Sequence, residues 1–134
     1  MITRFSTSGI WRKLIVTDYL SHAEQRVLYN ASTILVFPSM ADTLPLTIPE
    51  AMACGLPVVA YDTGGISFQL EGDCGIVVPQ GDEEALLDAT RRLLQSPQLR
   101  KQIAQNAKAR QRKIFTWESA ARETVAIYDR LLAN

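Results

Sequence analysis

Two carboxylates, Asp42 and Glu50, stand eight residues apart around a strand-to-helix turn, and a glycine pair, Gly64–Gly65, closes the strand that follows. A glutamate in the first turn of a helix is held in its charged form by the helix dipole, and a fixed carboxylate can accept both hydroxyls of a ribose. Asp42, on the loop before the helix, would face the other end of such a ligand and accept hydroxyls from a hexose. Between them the unpaired amides of the first helical turn attract an anion such as a diphosphate. Pro45 has no N–H, which makes Leu46 and Thr47 the backbone donors. The chemistry suggested is a nucleotide-sugar site. Each residue also has a plainer reading: Glu50 as a helix-terminal charge worth about 0.3–1 kcal/mol, Asp42 as an Asx-turn residue, and Gly64–Gly65 as turn glycines without a ligand.

The elements that must position these residues follow from local pattern. Thr33–Phe37 is a short unbroken apolar run ending in Pro-Ser, as in a parallel strand buried on both faces. Pro49 suits a helix start, and Gly55 suits a left-handed stop after Cys54, so the helix between is short. Pro57 opens the next run, Val58–Tyr61. Strand, loop, helix, strand and glycine turn make one crossover unit of an α/β fold. In open parallel sheets ligands bind beyond the carboxyl ends of the strands, which brings the loop Pro38–Thr47 and the turn Thr63–Ile66 to one rim.

Elsewhere, Leu14–Thr17 reads as a strand, and Ser21 with Glu24 as a capping box for a helix to about Asn30 that buries Val27 and Leu28 and exposes Glu24, Gln25 and Arg26. Gly75–Val78 is a fourth strand. Asp82 caps a helix with the stripe Leu86, Ala89, Leu93 and Leu94. Ser96–Pro97 starts the next, lined by Leu99, Ile103, Ala107 and Ile114. Thr116 caps a last helix whose buried face is Trp117, Ala121, Val125, Tyr128 and Leu132. His22 falls in a first helical turn and reads as a surface residue.

The segment around the carboxylates resembles the donor-binding core of the retaining family-4 glycosyltransferases, which have the two-domain GT-B fold and a Glu-x7-Glu signature. The resemblance rests on that spacing, on Pro38–Ser39, on Glu50-Ala51-Met52-Ala53-Cys54-Gly55-Leu56-Pro57-Val58-Val59, and on Asp62-Thr63-Gly64-Gly65-Ile66. Cys74-Gly75-Ile76-Val77-Val78-Pro79, Gly81-Asp82 and Phe115-Thr116-Trp117 follow in that family's order. Asp42 replaces the first glutamate, and Thr43-Leu44-Pro45 replaces the common Gly-Phe-Gly, similar to a bacterial subgroup with Asp-Asn-Leu-Pro. The resemblance implies a nucleotide-sugar-binding set of Asp42, Thr43, Leu44, Leu46, Thr47, Glu50, Gly64 and Gly65. It assigns no catalytic residue here, and implies no metal and no cofactor apart from the nucleotide-diphosphate sugar as substrate. The reaction implied is transfer of the sugar to a polysaccharide, lipid or small-molecule acceptor with retention of configuration.

Length and composition bound the rest. At 134 residues the chain is one domain at most. It is expected to be the C-terminal, donor-binding piece of such an enzyme and inactive alone, with its other domain supplied by a missing segment or a separate chain. Lys plus Arg is 14 and Asp plus Glu is 14, so no global field recruits nucleic acid. No apolar run approaches the roughly 18 residues needed to span a bilayer and no leader-like N-terminus stands out, so the expected location is cytoplasmic, with peripheral membrane association left open. Cys54 and Cys74 have neither metal-site nor disulfide spacing and read as small thiols in a reducing compartment.

In the resembled sheet, ordered 3-2-1-4-5-6, the four strands read here would take the third to sixth places. Two places between Leu14–Thr17 and Thr33–Phe37 would stand empty and leave the latter with an open edge. The expectation is that Leu14–Thr17 moves into the gap or that a second copy of the chain pairs there. The missing region would also carry a basic residue for the diphosphate, so donor affinity should be weak; Arg4, Arg12 and Lys13 match no motif. The runner-up function is a truncated, non-catalytic α/β module used in oligomerisation or partner binding. A flavodoxin-like flavin or nucleotide binder ranks last, because no phosphate loop follows the first strand.

Overall fold

The computed structural model describes residues 2–3 and 14–133. Strands β1 (Ile2–Thr3) and β2 (Val16–Thr17) pair antiparallel, with Ile2 opposite Thr17 and Thr3 opposite Val16. Helix α1 (His22–Ala31) follows, then β3 (Leu35–Phe37), α2 (Thr47–Cys54), β4 (Val58–Tyr61), the single turn α3 (Ile66–Gln69) and β5 (Ile76–Val78). Three longer helices complete the chain: α4 (Glu83–Gln95), α5 (Pro97–Ile114) and α6 (Trp117–Leu132). Strands β3, β4 and β5 form one parallel sheet in that order, with Leu35 opposite Val58 and Val59 opposite Ile76.

The α/β class and the parallel sheet flanked by helices agree with the sequence reading. The sheet has three strands because the run at Leu14–Thr17 does not join it. Only Val16–Thr17 is extended there, all four residues are exposed, and their partner is β1. An apolar run favours extended backbone without naming its partner, and a nearby segment closes a smaller loop at lower entropic cost. The expected filling of the gap by this segment is therefore corrected. Among the described residues β3 is paired on one side only, and Val36 in its middle is 38% exposed. Arg4, Arg12 and Lys13 lie outside the described residues.

Side chains alternate across the sheet as the strand period requires. Val58 and Ala60 of β4 pack with Ile48, Ala51 and Met52 of α2, Ile66 of α3 and Ala107 of α5 on one face. Val59 and Tyr61 pack with Ala89 and Leu93 of α4 and Ile103 of α5 on the other. All four residues of β4 are buried, the expected state of a central parallel strand.

The helix caps form where the sequence put them. Ser21 and Glu24 complete a reciprocal capping box, and Asp82, Ser96 and Thr116 accept from Ala85, Leu99 and Ser119 amides respectively. Gly55 ends α2 at φ 73°. Helix α2 starts two residues before Pro49, which still falls in the first turn, where an N–H has no intrahelical partner.

Four burial expectations are corrected. Thr33–Phe37, expected to be buried on both faces, has Leu35 and Phe37 half-buried and Val36 exposed, because among the described residues β3 has a strand on one side only. Val27 and Leu28 of α1 are exposed, because the face turned to α2 carries Tyr29 instead. Leu94 lies outside the buried part of the α4 stripe. In α6 the supposed inner face is open: Trp117 is 88% and Tyr128 61% exposed, and every residue from 120 to 133 is exposed. Periodicity shows that a helix has an apolar face, and a neighbouring element must still be present to cover it. No helix among the described residues is long and apolar enough to cross a membrane.

The cysteines differ in accessibility. Cys74 is buried, and burial pushes its thiol above the ordinary range; Cys54 is half-buried and accepts from the Asn30 amide at 3.6 Å. Because the thiolate is the nucleophile, iodoacetamide should label Cys54 well before Cys74 in the native protein. Peptide mass spectrometry of a labelling time course reads this directly, and equal rates would contradict the packing around Cys74.

Candidate functional site

Beyond the carboxyl ends of β3 and β4 the chain forms a cleft of about 510 Å³ lined by Met40, Ala41, Asp42, Thr43, Asp62, Thr63, Gly64 and Gln80. Its near wall is the loop between β3 and α2, and four contacts from later segments hold that loop. The Thr63 hydroxyl donates to the Ser39 carbonyl at 3.3 Å, and the Gln80 amide to the Met40 carbonyl at 2.6 Å. Gly65 N–H donates to Thr43 O at 2.7 Å, and the buried Gln69 side chain donates to Pro45 O at 3.0 Å.

The glycine pair has a steric reason to be glycine. Gly64 sits at φ 52°, and a Cβ there would lie 2.0 Å from Asp42 O and 2.6 Å from Thr43 O. A Cβ on Gly65 would meet Leu44 Cδ1 at 2.6 Å. The turn is thus pressed against the acidic loop and fixes where Asp42 stands. Asp62, at the end of β4, also lines the cleft and accepts from the Ser67 hydroxyl.

Glu50 lies in the first turn of α2, whose cap residue Leu46 supplies no side-chain acceptor. Its carboxylate is partly open and borders a second hollow of about 210 Å³, with His22, Gln25, Arg26 and Tyr29 of α1 opposite and Ala53 and Cys54 beside it. The Tyr29 hydroxyl donates to Glu50 Oε2 at 3.3 Å, and His22 Nδ1 is 4.0 Å from Glu50 Oε1. Burial first, and then the negative charge of Glu50, push the Tyr29 phenol above its ordinary range.

Of the residues singled out from sequence, Asp42, Thr43 and Gly64 share the first hollow and Glu50 lines the second. Leu44, Leu46, Thr47 and Gly65 line neither. Leu44 and Leu46 are exposed on the loop, Thr47 is half-buried, and Gly65 supports the loop from behind. The rim expected from sequence already includes Thr63, but Asp62 and Gln80 of the first hollow and Tyr29 of the second were not singled out, and His22 reads from sequence as a surface residue only. A helical spacing could have shown His22 and Tyr29 together, since positions 22, 25, 26 and 29 fall on one face of α1.

Residues 2–110 match the family described as Glycosyl transferases group 1. The chain belongs to that family. Among curated group 1 relatives, it is 30% identical to the MMP alpha-(1->4)-mannosyltransferase of Mycolicibacterium hassiacum, over all of this chain and 36% of that protein. It is 31% identical to the alpha-D-kanosaminyltransferase of Streptomyces kanamyceticus, over 90% of this chain and 31% of that one. It is 35% identical to a D-inositol 3-phosphate glycosyltransferase of a Nocardioides species, over 78% of this chain and 23% of the relative. The chain thus spans about a third or less of the length of these relatives. Among solved structures it resembles sucrose-phosphate synthase from Thermosynechococcus elongatus, with a TM-score of 0.78 and 33% identity over 87% of this chain and 30% of that one. The fold of this glycosyl transferase chain is accordingly Rossmann-like and of the GT-B kind. The family match stops before α6 begins.

Proposed function

We propose that this chain is the donor-binding part of a retaining family-4 glycosyltransferase, which moves a sugar from a nucleotide-diphosphate sugar to an acceptor. The observation that carries the reading is that Asp42, within the β3–α2 loop, and Glu50, in the first turn of α2, each line an open hollow. Asp42, with Thr43 and Leu44 of its loop and the glycine turn Gly64–Gly65 that holds this loop in place, receives the hexose. Leu46 and Thr47 offer amides to the diphosphate at the start of α2, and Glu50 accepts ribose hydroxyls. Donor amides stabilise a leaving diphosphate without moving during the reaction. The names of the curated relatives, all sugar transferases, support the reaction class. The chain's share of its relatives' length supports an acceptor wall contributed by a separate domain or chain, and so an inactive isolated piece with weak donor affinity.

The test is titration calorimetry with UDP-, GDP- and ADP-linked sugars. One of these series should bind, and Glu50→Ala should weaken that binding about tenfold or more, the loss of hydrogen bonds to a charged group. Equal binding by both proteins would end the assignment of Glu50.

A second reading is favoured by β3, which among the described residues is paired on one side only, and by the exposed Val36. There the chain serves as an assembly module, a second copy or another chain adding a strand at the Thr33–Phe37 edge. A melting point that rises with protein concentration and ignores all three nucleotide sugars would select it.

A further inference from the structure

The hollow beside Glu50 contains a feature that the donor-binding reading does not require. A glutamate accepting ribose hydroxyls must hold its carboxylate plane at a set angle, and a side chain with three rotatable bonds has no reason of its own to do so. Tyr29 reaches it from α1, 21 residues away in the chain, and its hydroxyl donates to Oε2 at 3.3 Å. Its ring packs against the buried cluster of Ile48, Met52 and Val58, so the hydroxyl is delivered from a fixed base. Tyr29 takes up one carboxylate oxygen from the α1 side, and Oε1 stays directed to the hollow, where the exposed His22 is 4.0 Å away.

From this geometry we infer that Tyr29 is a positioning residue for Glu50, orienting its carboxylate for the vicinal diol of a nucleoside diphosphate. The inference rests on the donor-binding reading and adds a residue that acts through Glu50 without touching the ligand. A carboxylate oxygen has two lone pairs, so Oε2 accepts from Tyr29 and still has capacity for a ribose hydroxyl. The phenol stays protonated, and hence a donor, throughout neutral pH.

The experiment measures binding of UDP, GDP and ADP to the whole chain. The diphosphate that binds is then compared with its 2′,3′-dideoxy counterpart in the native protein, in Glu50→Ala and in Tyr29→Phe. Phenylalanine keeps the ring and its packing, and an unchanged melting point confirms this. In the native protein the ribose diphosphate should bind about tenfold more tightly than the dideoxy form, as expected for hydrogen bonds to a charged acceptor. Tyr29→Phe should remove most of that preference while leaving affinity for the dideoxy form unchanged. If Glu50→Ala removes the preference and Tyr29→Phe keeps it, the positioning role is overturned and donor binding stands. If Tyr29→Phe weakens both ligands equally, Tyr29 is merely structural and the inference fails. A native protein that binds no diphosphate, or shows no diol preference, removes the role assigned to Glu50 and this inference with it.

Discussion

Gly64→Ala is expected to destabilise the fold by about 3 kcal/mol, from about 1–2 kcal/mol for an L-residue in the left-handed region and about 1–3 kcal/mol for overpacking. The added methyl would stand 2.0 Å from Asp42 O, and a backbone carbonyl cannot swing aside as a side chain can. Either the turn leaves its position or the acidic loop does, and in both cases Asp42 moves. Gly72→Ala is the control. Gly72 is also left-handed, at φ 75°, but nothing lies within 4 Å of the position its Cβ would take. That substitution should cost only the conformational part, about 1–2 kcal/mol. Urea unfolding of both variants at a common m-value separates the two contributions. Equal losses would show that the turn does not press on the loop.

The second large effect is expected at Arg110. Its guanidinium, on α5, donates to the Phe68 carbonyl at 2.5 Å and to the Gln69 carbonyl at 3.2 Å, the last two carbonyls of α3. It also lies 5.2 Å from the Phe68 ring centroid and 5.9 Å from that of Phe115. A single helical turn has almost no stability of its own, so its carbonyls depend on this outside donor. Arg110→Ala should cost about 3 kcal/mol, from two charge-assisted hydrogen bonds and a cation–π contact. Arg110→Lys should recover less than half, because one ammonium cannot span the two carbonyls as the planar guanidinium does. Glu71, which pairs with Arg110 at 2.9 Å, is itself largely exposed, and Glu71→Ala should cost under about 1 kcal/mol. Helix α3 carries Gln69, which holds the Pro45 carbonyl, so Arg110→Ala should also loosen the β3–α2 loop. A melting point lowered as much by Glu71→Ala as by Arg110→Ala would mean that the ion pair, and not the carbonyl grip, is what matters.

What could be read from the residues in order was mostly local. Ser21, Asp82, Ser96 and Thr116 each satisfy an amide three positions on, and a bond that short depends on nothing outside its own turn. The stop at Gly55 and the buried run Val58–Tyr61 were legible for a similar reason: backbone strain and burial on both faces leave their mark on composition. The acidic pair and the glycine turn were visible as a spacing, and the match to glycosyl transferases group 1 agrees with the coarser part of the resemblance drawn from it, a glycosyltransferase of the GT-B kind.

The errors share a cause. Leu14–Thr17 is a credible strand with an unspecified partner, and α6 a credible amphipathic helix whose residues 120 to 133 are covered by no element among the described residues. Helix α1 had two apolar residues side by side, Val27 and Leu28, that looked like its inner face. The position of α2 decided that Tyr29 would turn inward instead.

The order of amino acids by itself determined the α/β class, the places of the five longer helices, and the presence of two carboxylates around one turn, because caps, breakers and alternation act over a few residues; the single turn α3 left no such mark. Only the tertiary structure decided that Asp42 and Glu50 face separate hollows, that Tyr29 reaches the second carboxylate, and that Gln80 and Gly65 clamp the loop carrying the first. Those contacts join residues 21 to 40 positions apart. Their geometry is set by how helices lie across a sheet, which no stretch of the chain encodes alone.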